Sequence, residues 1–305
     1  MRPEVCTQYM QKVAVYLIII ALIFLPPTQA AEENLIQTRG TSGGHAIFLE
    51  HYTATWCQTC ATIDPLVNEF VDNHNGRFYR VAFHPNDHDP FGSNVTTDRI
   101  GTKEIGHQLV YPTFWFDNEV ELQGSLGTSM LENALRSAEN QREDWIPVQM
   151  WWTSGQIDSH QIYLHIDDVL PMNSTITIFR LETLHMTTHI ANNGLDTHHD
   201  VATQSIVFDT EIDRVEEFSL QDNEWNLSTG TLPGDENTDV FILNTTGDAE
   251  SFVVVIETNG SVRSVIGISN DDLPRKTENG PIIVLILIGI SLASATVLSR
   301  RSEFQ

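Results

Sequence analysis

Residues 46–71 constrain the fold of this chain more than any other stretch. Ala46-Ile-Phe-Leu-Glu-His-Tyr52 is rich in the apolar and aromatic residues of a buried strand, and Ala61 to Val71 carries a helical pattern. Between them stands Trp56-Cys57-Gln58-Thr59-Cys60. A strand-to-helix turn at this point puts Cys57 at a helix N-terminus. There, unpaired backbone N–H groups and the positive end of the macrodipole favour thiolate over thiol. Cys60, about one turn on, is close enough to close a disulfide and is expected to be the more buried sulfur. Three readings stand at this stage: a redox couple, an inert bridge, or half of a metal site. The third cysteine, Cys6, lies in an N-terminal segment of a different kind.

That segment, residues 1–30, reads as a secretory signal peptide. Arg2 and Lys12 supply a basic start, Val13 to Leu25 is an unbroken apolar run, and Pro26-Pro27 precedes a cleavage point before Ala31. An uncleaved anchor is the alternative. Residues 281–298 form an uncharged apolar stretch long enough to span a bilayer, with a buried core helix as the alternative. A juxtamembrane linker at 273–280 leads into it. A cytoplasmic tail at 299–305 with Arg300-Arg301 follows, so residues 31–280 are expected outside the cell membrane, held by a single pass. Sixteen Lys and Arg stand against 41 Asp and Glu, a formal net charge of −25 at pH 7. Such a surface repels phosphates and anionic headgroups, so nucleic acid is not an expected partner and membrane contact rests on the C-terminal helix. Asn-x-Ser/Thr sequons at Asn94, Asn173, Asn226, Asn244 and Asn259 suit an exported chain.

Two textures divide the exported part. Residues 31–144 alternate strand and helix patterns. Phe78–Phe83 is a second strand, Thr102–Leu109 a helix, and Thr113–Phe116 with Val120–Leu122 a hairpin. Ser129-x-x-Glu132 reads as a capping box opening a last helix to about Gln141. Residues 145–272 offer short strands at 148–153, 161–166, 175–181, 202–208, 240–243, 252–257 and 262–268, punctuated by turns such as Asn193-Gly194 and Asn259-Gly260. That spacing predicts an all-β, immunoglobulin-like sandwich. Trp151-Trp152 reads as sandwich core or module interface.

The segment Leu49-Glu-His-Tyr-Thr-Ala-Thr-Trp-Cys57-Gln-Thr-Cys60, with Val110-Tyr111-Pro112-Thr113 leading into a later strand, resembles the thioredoxin superfamily. The βαβ order, final hairpin and closing helix agree with it over about 110 residues. The resemblance implies an α/β thioredoxin-like domain in which Cys57 is the nucleophile and Cys60 the resolving thiol. It also implies that Pro112 is a cis-proline shaping a substrate groove with Trp56 and Tyr111, where the Tyr111 backbone pairs with an extended peptide. The segments Glu50-His-Tyr-Thr-Ala-Thr-Trp-Cys57 and Asp196-Thr-His-His-Asp-Val201 are also similar to a bacterial surface family with a thioredoxin-like domain followed by a β-domain.

The chain departs from the superfamily in three places. His51, with Glu50 beside it, occupies the position of a buried acid that assists proton transfer, which makes these two the proton-transfer candidates. Gln58-Thr59 is neither dipeptide typical of strong reductants or strong oxidants. The loop His84–Gly92 is long and polar, and borders the site in this reading. Together these imply a membrane-anchored extracytoplasmic thiol–disulfide oxidoreductase with no cofactor and no metal. Its partners would be cysteine-containing exported proteins or a partner redox protein. The alternatives are a thioredoxin-fold copper or zinc chaperone using the cysteines with His84 or His88, and a non-catalytic surface recognition protein.

Overall fold

A strand with no exposed side chain organises the structure. In a computed structural model of the chain, residues 37–86, 88–101, 109–142, 144–154, 159–186, 193–210, 215–219 and 225–270 are described. The chain runs β1 (Gln37–Gly43), β2 (Ile47–Tyr52), α1 (Gln58–Asn73), β3 (Phe78–Phe83), α2 (Asn94–Gly101), β4 (Thr113–Phe116), β5 (Val120–Gln123) and α3 (Thr128–Gln141). Strands follow: β6 (Val148–Ser154), β7 (Ser159–Ile166), β8 (Ser174–His185), β9 (Thr197–Phe208) and β10 (Val215–Ser219). The last are β11 (Asn226–Leu232), β12 (Asp235–Thr246), β13 (Ser251–Thr258) and β14 (Ser261–Ser269). The described residues are thus mostly β-sheet with three helices.

All six side chains of β2 are buried, as in a strand covered on both faces. It pairs parallel with β3 and antiparallel with β4, and β4 pairs with β5. Ile47 and Leu49 face α1 and α3, packing with Ile63, Val67, Phe70, Leu131 and Leu135. Phe48 and Tyr52 point the other way, into a cluster with Val81, Phe83, Phe179, Val253 and Val255.

The outer edge of β3 does not end the sheet. One parallel pair, Ala82 with Val201, joins it to β9, and the sheet continues through β8, β13 and β14, with β10 beside β9. A second sheet has the order β1-β6-β7-β12-β11. Its Met150, Trp152, Ile162 and Leu164 pack on Ile178, Ile206, Phe252, Val254 and Ile266 of the first. Two sheets therefore face each other across an apolar core, and the pair is not self-contained. One sheet carries on into β3-β2-β4-β5, and β1, from within the 31–144 interval, closes the edge of β6. Both pairings occupy strand edges that would otherwise be open. Trp152 is core, while the Trp151 ring lies over Gly40 of β1, where a Cβ would sit 2.7 Å away.

The helices also differ from the sequence reading. α1 begins at Gln58 and is longer than 61–71. α2 occupies a stretch where no helix was expected, and the helix expected at 102–109 falls, but for Leu109, outside the described residues. α3 starts after Gly127 without a side-chain cap, so Ser129 lies too late to cap it and the Ser129–Glu132 box does not form. Glu132 meets His74 of the α1 C-cap instead, at 2.6 Å. No helix among the described residues is long and apolar enough to cross a membrane. The segments 1–30 and 273–305, with the expected signal, linker, span and tail, lie outside the described residues.

One buried ionic cluster ties these pieces together. Arg99 of α2 donates to Glu50 of β2, to both carboxylate oxygens of Glu257 of β13 at 2.8 and 2.9 Å, and to Asn118 of the β4–β5 turn. Asn118 donates to Glu257 and to the Gly260 carbonyl, Tyr52 reaches Glu50, and the guanidinium sits over the Phe48 ring. Burial disfavours the Arg99 charge, but Glu50 and Glu257 outweigh it and hold the proton more firmly than usual. Arg99→Met, which leaves two buried carboxylates without their cation, is expected to destabilise the fold by about 3–5 kcal/mol in urea unfolding. The triple replacement Arg99→Met, Glu50→Gln, Glu257→Gln should recover part of that loss.

Candidate functional site

The cysteine pair sits where β2 hands over to α1. Cys57 is the N-cap of α1, in extended backbone conformation, and its sulfur accepts from the Cys60 N–H at 3.0 Å. The two form a disulfide with Cα atoms 5.2 Å apart. Cys60 is fully buried and Cys57 is 7% exposed, so Cys60 is the more buried sulfur. Helix capping by sulfur follows from the sequence: Thr55 and Trp56 make the turn, and Cys57 N–H closes it on the Ala54 carbonyl at 3.1 Å.

Trp56, 39% exposed, stands edge-on to Tyr111 at 5.4 Å, and Tyr111 packs against Ala54, Cys57 and Cys60. The Tyr111–Pro112 bond is cis, the isomer that the resemblance implies. Val110 beside it is exposed. Cys57, Cys60, Trp56, Tyr111 and Pro112 are thereby brought to one end of β2 and β4.

The two proton-transfer candidates separate, because successive strand residues face opposite ways. Glu50 faces α2 and is held in the Arg99 cluster. His51 points to the α1 side, stacks on Phe114 at 4.5 Å, and has its Nε2 3.2 Å from the Asp64 carboxylate. Asp64 follows Cys60 by four residues, one turn along the same buried helix face, and accepts from Thr53 Oγ1 at 2.8 Å. Burial pushes the Asp64 carboxyl up, but the His51 ring and the Thr53 hydroxyl more than offset it and hold it below the ordinary range. Burial lowers the proton affinity of His51 against the pull of Asp64.

The polar loop His84–Gly92 does border the site. Asp89 accepts from Thr55 N–H at 2.7 Å, Thr55 Oγ1 at 3.2 Å and Phe91 N–H at 3.0 Å, and His84 Nδ1 lies 3.2 Å away. These donors overcome the effect of burial and lower the Asp89 carboxyl. His84 is buried and His88 is exposed. From β9, the His198 ring packs edge-on against His84 at 5.0 Å and Phe91 at 5.3 Å. His51, Asp64, His84 and His198 line a cavity of about 10 Å³, and His51 Nδ1, His84 Nε2 and His198 Nε2 have no protein hydrogen-bond partner among the described residues. The space is far below that of a small-molecule pocket. Among the described residues no three or more His, Cys, Asp or Glu side chains are placed to hold a metal ion.

Sequence reasoning missed Asp64, Asp89, Asn193 and His198. Asp64 had a readable signal, its four-residue offset from Cys60 in a helical pattern. His198 lay within a segment singled out by resemblance, yet nothing local tied Asp196–Val201 to the cysteines. In the structure the second segment adjoins β3, the strand paired with β2: Val201 pairs with Ala82, and Asp200 meets Arg80 at 2.7 Å.

No family model matches the chain, and no curated protein matches it in sequence. Among solved structures, HBP35 of Porphyromonas gingivalis aligns with a TM-score of 0.53 at 15% identity, over 77% of this chain and 78% of that one. Protein AGR_C_4864 from Agrobacterium tumefaciens aligns with a TM-score of 0.44 at 9% identity, over 73% of this chain and 92% of that one. The first likeness is one of fold.

The buried histidines set a pH dependence. Burial, reinforced by the neighbouring His84, pushes His198 down from 6.5 to about 4. The unfolded chain then binds a proton that the folded chain refuses, so stability is full above pH 6.5 and falls as pH drops from about 6.5 to 4. His51 acts in the same direction. Denaturant midpoints measured across pH 4–7.5 should therefore decline on the acid side, and His198→Gln should make the decline shallower.

Proposed function

We propose that this chain is a membrane-anchored extracytoplasmic thiol–disulfide oxidoreductase with a thioredoxin-like α/β part joined to a β-sandwich. The observation that carries the reading is the placement of Cys57. It caps α1 against Tyr111 of the cis Tyr111–Pro112 bond and next to the half-exposed Trp56, with Cys60 buried one turn behind. The inert-bridge reading of the pair explains less. A staple that closes only a three-residue separation adds little constraint to the unfolded chain, and it gains nothing from a neighbouring solvent-facing aromatic. The element order β2-α1-β3 followed by β4, β5 and α3 supports the superfamily resemblance, as does the fold shared with HBP35. The exported location and the anchor rest on the signal-like residues 1–30 and the apolar run 281–298.

The reaction is thiolate exchange. The Cys57 thiolate attacks one sulfur of a substrate disulfide, a Cys57–substrate S–S bond forms, and the other substrate sulfur leaves as thiolate. Cys60 then loses its proton and attacks the Cys57 sulfur. The Cys57–Cys60 bond closes and the second substrate thiolate is released, so the substrate gains two electrons and the pair loses two. The reverse sequence oxidises a substrate dithiol. His51, backed by Asp64, is the proton acceptor for Cys60, whose burial keeps bulk water away. Trp56, Val110 and Tyr111 form the apolar rim on which an extended cysteine-containing peptide from an exported protein or redox partner would lie.

In insulin-disulfide reduction with dithiothreitol, Cys57→Ser is expected to fall to the uncatalysed rate. Cys60→Ser, reduced and then freed of dithiothreitol before insulin is added, should accumulate a Cys57-linked mixed disulfide visible on non-reducing gels. Wild-type turnover in Cys57→Ser would overturn the assignment.

A further inference from the structure

The second module is not merely attached to the cysteine site but supplies part of it. Asn193, at the start of the run into β9, donates its backbone N–H to the Thr55 carbonyl and its side-chain Nδ2 to the Ala54 carbonyl, both at 3.2 Å. Its Oδ1 accepts from Leu195 N–H at 3.0 Å, an Asx turn that orients the amide. Asn193 is only 9% exposed. The Ala54 carbonyl is also the acceptor that closes the turn onto Cys57 N–H, so one oxygen is shared by the nucleophile's turn and by a residue more than 130 positions away. Asp89 in turn accepts from the Thr55 N–H and hydroxyl. The two residues before Trp56 are thus gripped between the β3–α2 loop and the second module, and the His198 ring against His84 and Phe91 continues the contact.

We infer that Asn193 is a positioning residue for Cys57: the approach to β9 fixes the Ala54–Cys57 turn and with it the place of the sulfur at the α1 N-terminus. This rests on the thiol-exchange reading of the same site. The grip acts on backbone carbonyls, so it works whatever peptide is bound. A thiolate needs the helix N–H groups within hydrogen-bond range. A turn that opens part of the time carries Cys57 away from them and lowers the thiolate fraction.

The test uses the full chain in its reduced form. Asn193→Ser keeps an acceptor for Leu195 N–H but cannot reach the Ala54 carbonyl, and Asn193→Ala removes both bonds of the side chain. Cys57 alkylation by iodoacetamide is followed from pH 4 to 10. The expected result is a pH profile displaced to higher pH in both variants, with alkylation at pH 7 slowed by about threefold or more, the effect of losing one net hydrogen bond. Ile178→Val, in the sandwich core, should lower stability without moving the profile. Profiles of Asn193→Ser and Asn193→Ala that superimpose on wild type would overturn the proposal. Where either variant fails to fold, the wild type still decides: the Asn193 side-chain amide signals in ¹⁵N NMR should shift when the Cys57–Cys60 disulfide is reduced, and unchanged signals would overturn it. Insulin reduction by wild type is read separately. Its absence would sink the oxidoreductase reading, whereas an unmoved alkylation profile would sink only the role of Asn193.

Discussion

Burying a guanidinium is unfavourable unless carboxylates come with it, and Arg99 brings together two that lie about 200 residues apart in sequence, Glu50 and Glu257. Its planar fork suits bidentate pairing with Glu257 while the remaining N–H groups reach Glu50 and Asn118. The cluster can be satisfied only when α2, β2, the β4–β5 turn and β13 are all in place. It therefore specifies one register of the two modules, which apolar packing of Phe48, Phe179 and Val255 alone would define less sharply.

That register has a consequence at the other end of β2. With β13 and β8 fixed against β2, β9 arrives beside β3 through the single pair Ala82–Val201. The approach to β9 then lies against Ala54 and Thr55. The Ala54–Cys57 turn is accordingly held by contacts from three directions: α1 through the Cys57 cap, the β3–α2 loop through Asp89, and the approach to β9 through Asn193. The strands of residues 145–272 become part of the surroundings of the cysteines, because the same sheet runs through both.

Much of this was legible in the sequence, and the illegible parts share causes. β7, β13 and β14 were readable because β-branched and aromatic residues recur along them and turn residues bound them. β11, Asn226-Leu-Ser-Thr-Gly-Thr-Leu232, was not, since an edge strand with mostly exposed side chains carries no apolar alternation. β1, with Gly40 and Gly43 and no apolar residue, gave no signal either; its glycine is there to admit the Trp151 ring. Ser129–Glu132 had the letters of a capping box, but Glu132 is engaged by His74 across α1 and α3, a contact that no local pattern encodes. His51 and Glu50 stood side by side as candidates, and only strand alternation in the folded sheet gave one to the cysteine side and the other to Arg99.

By itself the sequence determined the local chemistry. A strand, a Trp-Cys-x-x-Cys turn and a helix place a sulfur at a helix N-terminus, because that outcome depends on neighbouring residues and short-range sterics, whereas the cis bond at Tyr111-Pro112 was implied by the resemblance. Tertiary structure alone decided which distant groups surround that sulfur. Asp64 and Asp89 were within reach of a careful local reading. Asn193 and His198 were not, because their place against Ala54–Thr55 and against the His84–Gly92 loop follows from the pairing of β9 with β3 and from the buried Arg99 cluster. Both depend on which strand edges and which buried charges meet once the whole chain has closed.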